Sequence, residues 1–206
     1  SFTVVGDVAQ TSAPAGSNAW DAALSPFVED RAIIEELTVN YRTPTKIMSR
    51  ALAVARQHNL AVTDVKSVRE GDWDVRDVPA TSGSNTALAE AACGAIDQAL
   101  TDAPGRVALI ASDHRVEELA AAMAEHFGHD RVGLGSLGVD REISVMGPTG
   151  AKGLEFDTAV VVEPAEMIAA HDRGIGDLYV AMTRPTQILA LVHSQALPRG
   201  IMHNAH

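Results

Sequence analysis

Short, continuously apolar runs recur along the chain at Phe2–Val5, Leu37–Val39, Val107–Ala111, Ile143–Met146, Ala159–Val162 and Ile188–Val192. Each is rich in β-branched residues and bounded by turn formers, the pattern of strands buried on both faces. Between them, apolar positions fall at helical spacing over Thr45–Gln57, Asn85–Thr101, Val116–His126 and Ile175–Thr183. Strands alternating with helices predict an α/β domain, a mostly parallel sheet of about five to seven strands with helices on both faces. The stretch from Ala61 to Pro79 alternates only weakly and reads either as a pair of outer strands or as an irregular connection. Gly83-Ser84-Asn85 opens one helix; Thr43 can cap the helix at Thr45, with Pro44 in its first position, and Asp113 can cap the helix after Val107–Ala111.

Composition supports a real core and narrows the partners. Hydrophobic residues make up 46% of the 206, enough for one domain. The net charge of −11 opposes a phosphate backbone over most of the surface, so any nucleic-acid contact is local and weak. With two Trp, two Tyr and four Phe, base stacking would rest on individual residues. The single cysteine, Cys93, lies in an alanine-rich helical pattern and reads as a buried small residue. No apolar run is long enough to span a membrane and the first residues lack a signal-peptide pattern, so the chain is expected to be soluble and cytoplasmic. Beginning inside an apolar strand without an initiator methionine, it reads as a fragment of a longer protein, with a loosely ordered tail over residues 198–206.

In open parallel sheets ligands collect at the carboxyl ends of the strands, so polar residues following apolar runs are candidates for chemistry. Val4-Val5-Gly6-Asp7-Val8-Ala9-Gln10 places a carboxylate and an amide after a strand, or is simply a Gly-Asp turn. In Leu37-Thr38-Val39-Asn40-Tyr41-Arg42-Thr43-Pro44, Tyr41 can stack on a base and Arg42 can clamp a phosphate; the ordinary reading is a half-buried Tyr and a surface salt bridge. Gly147 to Asp157 sets Gly147, Gly150 and Gly153 around Lys152, which lets backbone amides approach an anion, and Glu155 can accept from a sugar hydroxyl. It lacks the Ser or Thr after Gly-Lys of a Walker A loop and is otherwise a glycine-rich surface turn. Gly176 to Pro185 is a helix ending in Arg184, placed to project across an interface or to offset the helix dipole.

The order Gly-Asp-x-x-Gln, Asn-Tyr-Arg, Lys-Gly-Leu-Glu-Phe-Asp, Tyr-Val-Ala-x-Thr-Arg is specific where its pieces are not. From residue 6 to about residue 192 it resembles motifs III to VI of the UvrD-like superfamily 1 helicases. Val-Asn-Tyr-Arg-Thr-Pro at 39–44 and Thr-Arg-Pro-Thr-Gln at 183–187 look closest to the HelD branch, whose members are RNA polymerase-associated ATPases. The resemblance implies a single RecA-like, P-loop NTPase-like C-terminal motor domain over 1–206 that lacks its own Walker A, with 1–35 as the junction to a missing P-loop domain. It implies that Gln10, Arg42 and Arg184 act on the γ-phosphate, that Tyr41 stacks on adenine, that Glu155 holds the ribose, and that Gly153 lies close to the phosphates. ATP and Mg²⁺ would be held mainly by the absent domain, and the fragment alone would hydrolyse none. Tyr41, Arg42, Glu155 and Arg184 should therefore converge, with Arg184 solvated at the edge of an interdomain cleft.

Departures qualify the resemblance. UvrD-type enzymes carry base-stacking aromatics soon after the glutamine, whereas Thr11 to Gly16 has none and Trp20 comes ten residues on. That speaks against direct unwinding and leaves as rivals an RNA polymerase-docking module without motor role and a true DNA-unwinding domain. Gly133-Leu134-Gly135-Ser136-Leu137-Gly138 matches a dinucleotide fingerprint by letter, but a strand follows it where a helix should open. His126 and His129 have ligand-like spacing without a third ligand, and no metal site is expected.

Overall fold

The structure, a computed structural model, describes residues 38–201 together with Leu24 and Phe27. The expected first strand at Phe2–Val5, the Gly6–Gln10 segment and the 1–35 junction lie outside the described residues. In order, the elements are β1 (Val39–Asn40), α1 (Thr45–Gln57), β2 (Lys66–Ser67), β3 (Arg76–Pro79), α2 (Asn85–Asp102), β4 (Val107–Ile110), α3 (Asp113–Phe127) and β5 (Val132–Leu134). After a 3-10 turn at Ser136–Gly138 come β6 (Ile143–Met146), α4 (Pro148–Ala151), β7 (Phe156–Val162), α5 (Pro164–Ala169), α6 (Gly174–Met182) and β8 (Pro185–His193). The two shortest helices, α4 and α5, are too brief to show a helical period in the sequence.

Six parallel strands form the main sheet in the order β3-β8-β7-β4-β6-β5, as the alternation of elements requires. The apolar runs do not alternate because both faces are covered. Along β4, Ala108 and Ile110 join a core with α1, α4, α5 and α6, while Val107 and Leu109 join a second core with α2 and α3. Along β7 and β8 the same division holds: Ala159, Val161, Leu189 and Leu191 face the first core, and Val160, Val162, Ala190 and Val192 the second.

The weakly alternating stretch resolves into both readings at once. Lys66–Ser67 pairs with β1 in a separate two-stranded parallel sheet, and Arg76–Pro79 is an edge strand of the main one, where Pro79 is tolerated. Ser84 caps α2 by accepting from the Ala87 amide at 3.3 Å. Two expected caps differ: Asp113 is the first residue of α3 and Ser112 its cap, while Pro44 stands in the cap position of α1. Thr43 is displaced from capping because its hydroxyl donates instead to the Thr183 carbonyl, 3.4 Å away and 140 residues on in sequence. The tail, expected to be loose from Pro198, is packed as far as Ile201, which is buried in the first core and whose carbonyl accepts from Arg50 Nη1. The dinucleotide-like glycines serve close packing: a β-carbon on Gly133 would lie 2.3 Å from the Gly138 carbonyl oxygen.

Candidate functional site

The Asn40 side chain accepts from the backbone amides of Arg42 at 2.8 Å and Thr43 at 3.1 Å, so the chain leaves β1 in a tight turn before α1. That turn leaves Tyr41 74% exposed while burying Thr43 against the end of α6. Arg42 reaches across to an ion pair with Glu155, both side chains remaining nearly half exposed. Glu155 is delivered by Gly153, whose φ of +77° favours glycine and whose missing β-carbon faces open space. Phe156 then opens β7 with its amide donating to the Arg184 carbonyl at 3.2 Å, beside the first residue of β8. Residues from three distant stretches thus meet at the amino ends of two adjacent central strands.

Arg184 is 4% exposed, contrary to the expectation of a solvated side chain. Its Nε donates to the Val180 carbonyl at 2.9 Å, Nη1 to the Leu154 carbonyl at 3.3 Å and Nη2 to the Thr183 hydroxyl at 3.2 Å. The planar guanidinium therefore ties the last turn of α6 to the backbone immediately before Glu155. Arg42, Glu155 and Arg184 converge as expected, with exposed Tyr41 next to Arg42 in the chain and Gly153 on the adjoining turn; Gln10 lies outside the described residues.

The location differs from the carboxyl-end rule. Only Tyr41 and Arg42 follow a strand, and that strand belongs to the small sheet; Glu155 and Arg184 precede theirs. Sequence reasoning also missed Arg106, whose Nη2 donates to the Glu155 carbonyl at 3.2 Å and whose amide donates to Asp157 Oδ2 at 2.8 Å. Gln187 Nε2 reaches Asp157 Oδ1 at 3.0 Å, so Asp157 buttresses the segment that carries Glu155. The signal for it was Asp157 itself, the last residue of Lys-Gly-Leu-Glu-Phe-Asp.

The carboxyl ends hold a different polar set. Arg115 forms a two-pronged pair with Glu166, at 2.8 Å from Nε and 2.6 Å from Nη2. This hydrogen-bonded guanidinium holds the Glu166 carboxyl below its ordinary range. Burial pushes the Asp177 carboxyl up, opposed by His171 at 2.8 Å. Glu163 is fully buried at φ +49° and accepts from the Ser194 amide at 2.9 Å. Burial likewise raises the Cys93 thiol to about 11, in keeping with an inert small residue. Among the described residues no group of three or more His, Cys, Asp or Glu is arranged to hold a metal, and His126 instead meets Asp97 at 3.0 Å. No helix among the described residues is long and apolar enough to cross a membrane.

No protein-family model matches the chain, and no curated protein is similar to it. Among solved structures, the C-terminal domain of a possible DNA helicase from Lactobacillus plantarum WCFS1 superposes with a TM-score of 0.58 at 19% identity, covering 81% of this chain and 95% of that one. The Hef helicase domain of Pyrococcus furiosus gives a TM-score of 0.37 at 13% identity, over 53% of this chain and 25% of that one, too slight a likeness to argue from. The first likeness shows the fold, a RecA-like α/β domain of the kind found at the C-terminus of helicases.

Proposed function

We propose that this chain is the second motor domain of an ATP-driven superfamily 1 translocase and supplies half of a nucleotide site completed by a P-loop domain of the same parent. The observation that carries this reading is the meeting of Arg42, Glu155 and Arg184 at the amino ends of β7 and β8. The residues present fit half a site. Tyr41 offers an exposed ring, Arg42 a half-exposed guanidinium, Glu155 a carboxylate beside it, and Gly153 an open backbone. Bound ATP would bring a phosphoanhydride whose transfer is catalysed chiefly by positioning and charge neutralisation. In that site Tyr41 would stack on the base, Glu155 would face the ribose, and Arg42 would neutralise phosphate charge. Arg184, buried behind the pair, would act as a positioning residue through the backbone that carries Glu155. Mg²⁺ is assigned to the P-loop domain.

The HelD-like motif endings favour a parent that remodels or recycles RNA polymerase over one that unwinds duplexes, and the acidic composition favours the same choice. In the full-length parent, Arg42→Ala is expected to lower ATP turnover by about 10²–10³-fold while leaving the circular dichroism unchanged. Turnover within about twofold of wild type would end the assignment. Retention of core RNA polymerase by the immobilised parent tests the branch: binding only to nucleic acid would favour an unwinding domain instead.

A further inference from the structure

On the face of the sheet away from α1 and α6, helices α2 and α3 lie side by side and leave an open groove of about 760 Å³ between them. Its banks are acidic and regular. Glu90 and Asp97 stand on α2, and Glu118 and Glu125 on α3, each pair seven residues apart and thus separated by two helical turns, about 10.5 Å. No Lys or Arg lines the groove. Asn85 bridges to Glu118 and His126 to Asp97, which ties the banks together near the two ends, while Glu90 and Glu125 have no ion-pair partner among the described residues. The floor is made of small groups, among them Cys93, Gly94 and Ala122.

Gly94 supplies an independent pointer. It sits in the interior of an 18-residue helix, where glycine weakens the helix, and a β-carbon there would meet nothing within 4 Å. Packing within the described chain gives no reason for the glycine; close approach of something laid along the groove does.

We infer that the α2–α3 groove docks an amphipathic helix of a partner protein that presents Lys or Arg side chains toward Glu90 on one bank and Glu125 on the other, with small apolar residues against Gly94. Charge selects this occupant. A second copy of the chain would bring another net −11 to the groove. The chain's own first 37 residues carry Asp7, Asp21, Glu29, Asp30, Glu35 and Glu36 against Arg31 alone. A helix laid between two others faces both banks at once, and small residues let it sit close.

The test uses the 206-residue chain and a fluorescein-labelled, Ala/Leu-based helical peptide with lysines along its polar face, read by anisotropy. The Lys peptide is expected to bind, and its counterpart with Glu at the same positions is not. The double substitution Glu90→Gln/Glu125→Gln is expected to weaken binding at least about tenfold. Gly94→Leu, whose β-carbon would meet nothing within 4 Å and whose side chain would occupy groove space, should weaken it similarly while the thermal midpoint holds or rises. The control Asp72→Asn/Asp140→Asn removes as much charge elsewhere and should change affinity by less than about twofold. Failure to bind, equal binding of the Glu peptide or equal weakening by the control would overturn the docking site. So would self-association of the chain that Gly94→Leu abolishes, because the groove would then belong to a second copy.

Discussion

Arg184 shows how one side chain can satisfy a motif and still differ from the role its position implies. At the end of α6 and before Pro185, it was expected to reach into solvent; instead the last turn of the helix folds the guanidinium back onto the Val180 carbonyl and across to Leu154. A buried cation held by carbonyl oxygens is part of the fold, and truncating it strands those acceptors. Arg184→Ala is therefore expected to cost about 2–4 kcal/mol of stability, read as a lowered midpoint in urea with unchanged slope. A loss under about 0.5 kcal/mol would mean that the side chain is solvated after all. Arg42, nearly half exposed, has the opposite profile: its removal should barely move the midpoint.

The polar ends of the elements differ in sign. Folding favours the charged form of Glu166, so its contribution is present above the ordinary glutamate range and is lost as the pH falls through its lowered folded value. Glu166→Gln is expected to cost about 1–2 kcal/mol near pH 7, the cost shrinking as the pH falls below the ordinary glutamate range. For Asp177 the folded value is raised, so folding favours the neutral form, whose advantage is complete at low pH and lost as the pH rises through that value. Asp177→Asn should thus raise the midpoint near pH 7 and leave it unchanged near pH 3. Parallel pH curves for the two variants would contradict both environments. Neither carboxylate was legible as a site, because each acquires its setting only when α5 and α6 fold against partners distant in sequence. The elements themselves were legible to a different degree. Thr45–Gln57 was readable residue for residue, since its buried positions recur at helical spacing, and the central strands were readable from their unbroken apolar runs. The caps at Thr43 and Asp113 were misread because a hydroxyl or carboxylate can satisfy several local donors, and tertiary contact decides which. Motif order singled out the candidate site residues, but their place at the amino ends was not legible, because strand ends cannot be matched before the register is known.

Across the whole molecule, the most protected backbone should be that of β4, β7 and β8, whose apolar side chains are buried on both faces. Hydrogen exchange is expected to be slowest there and faster by orders of magnitude in β1, β2 and the edge strand β5. Equal protection in β5 and β7 would contradict that gradient and mean that the whole sheet opens as one unit. β8 runs unbroken from Pro185, beside Arg184, to His193, adjoining the Ser194 that donates to Glu163. Its nine residues span about 30 Å; it pairs with β7 from Pro185 to Val192, with a register irregularity between Phe156 and Thr158, and with β3 over Ala190–His193. From Ile188 onward the strand is paired without a break to its far end. A load applied where Arg42 meets Glu155 would cross that irregularity first and then travel along the paired ladder toward the opposite rim, as along an oar from its lock.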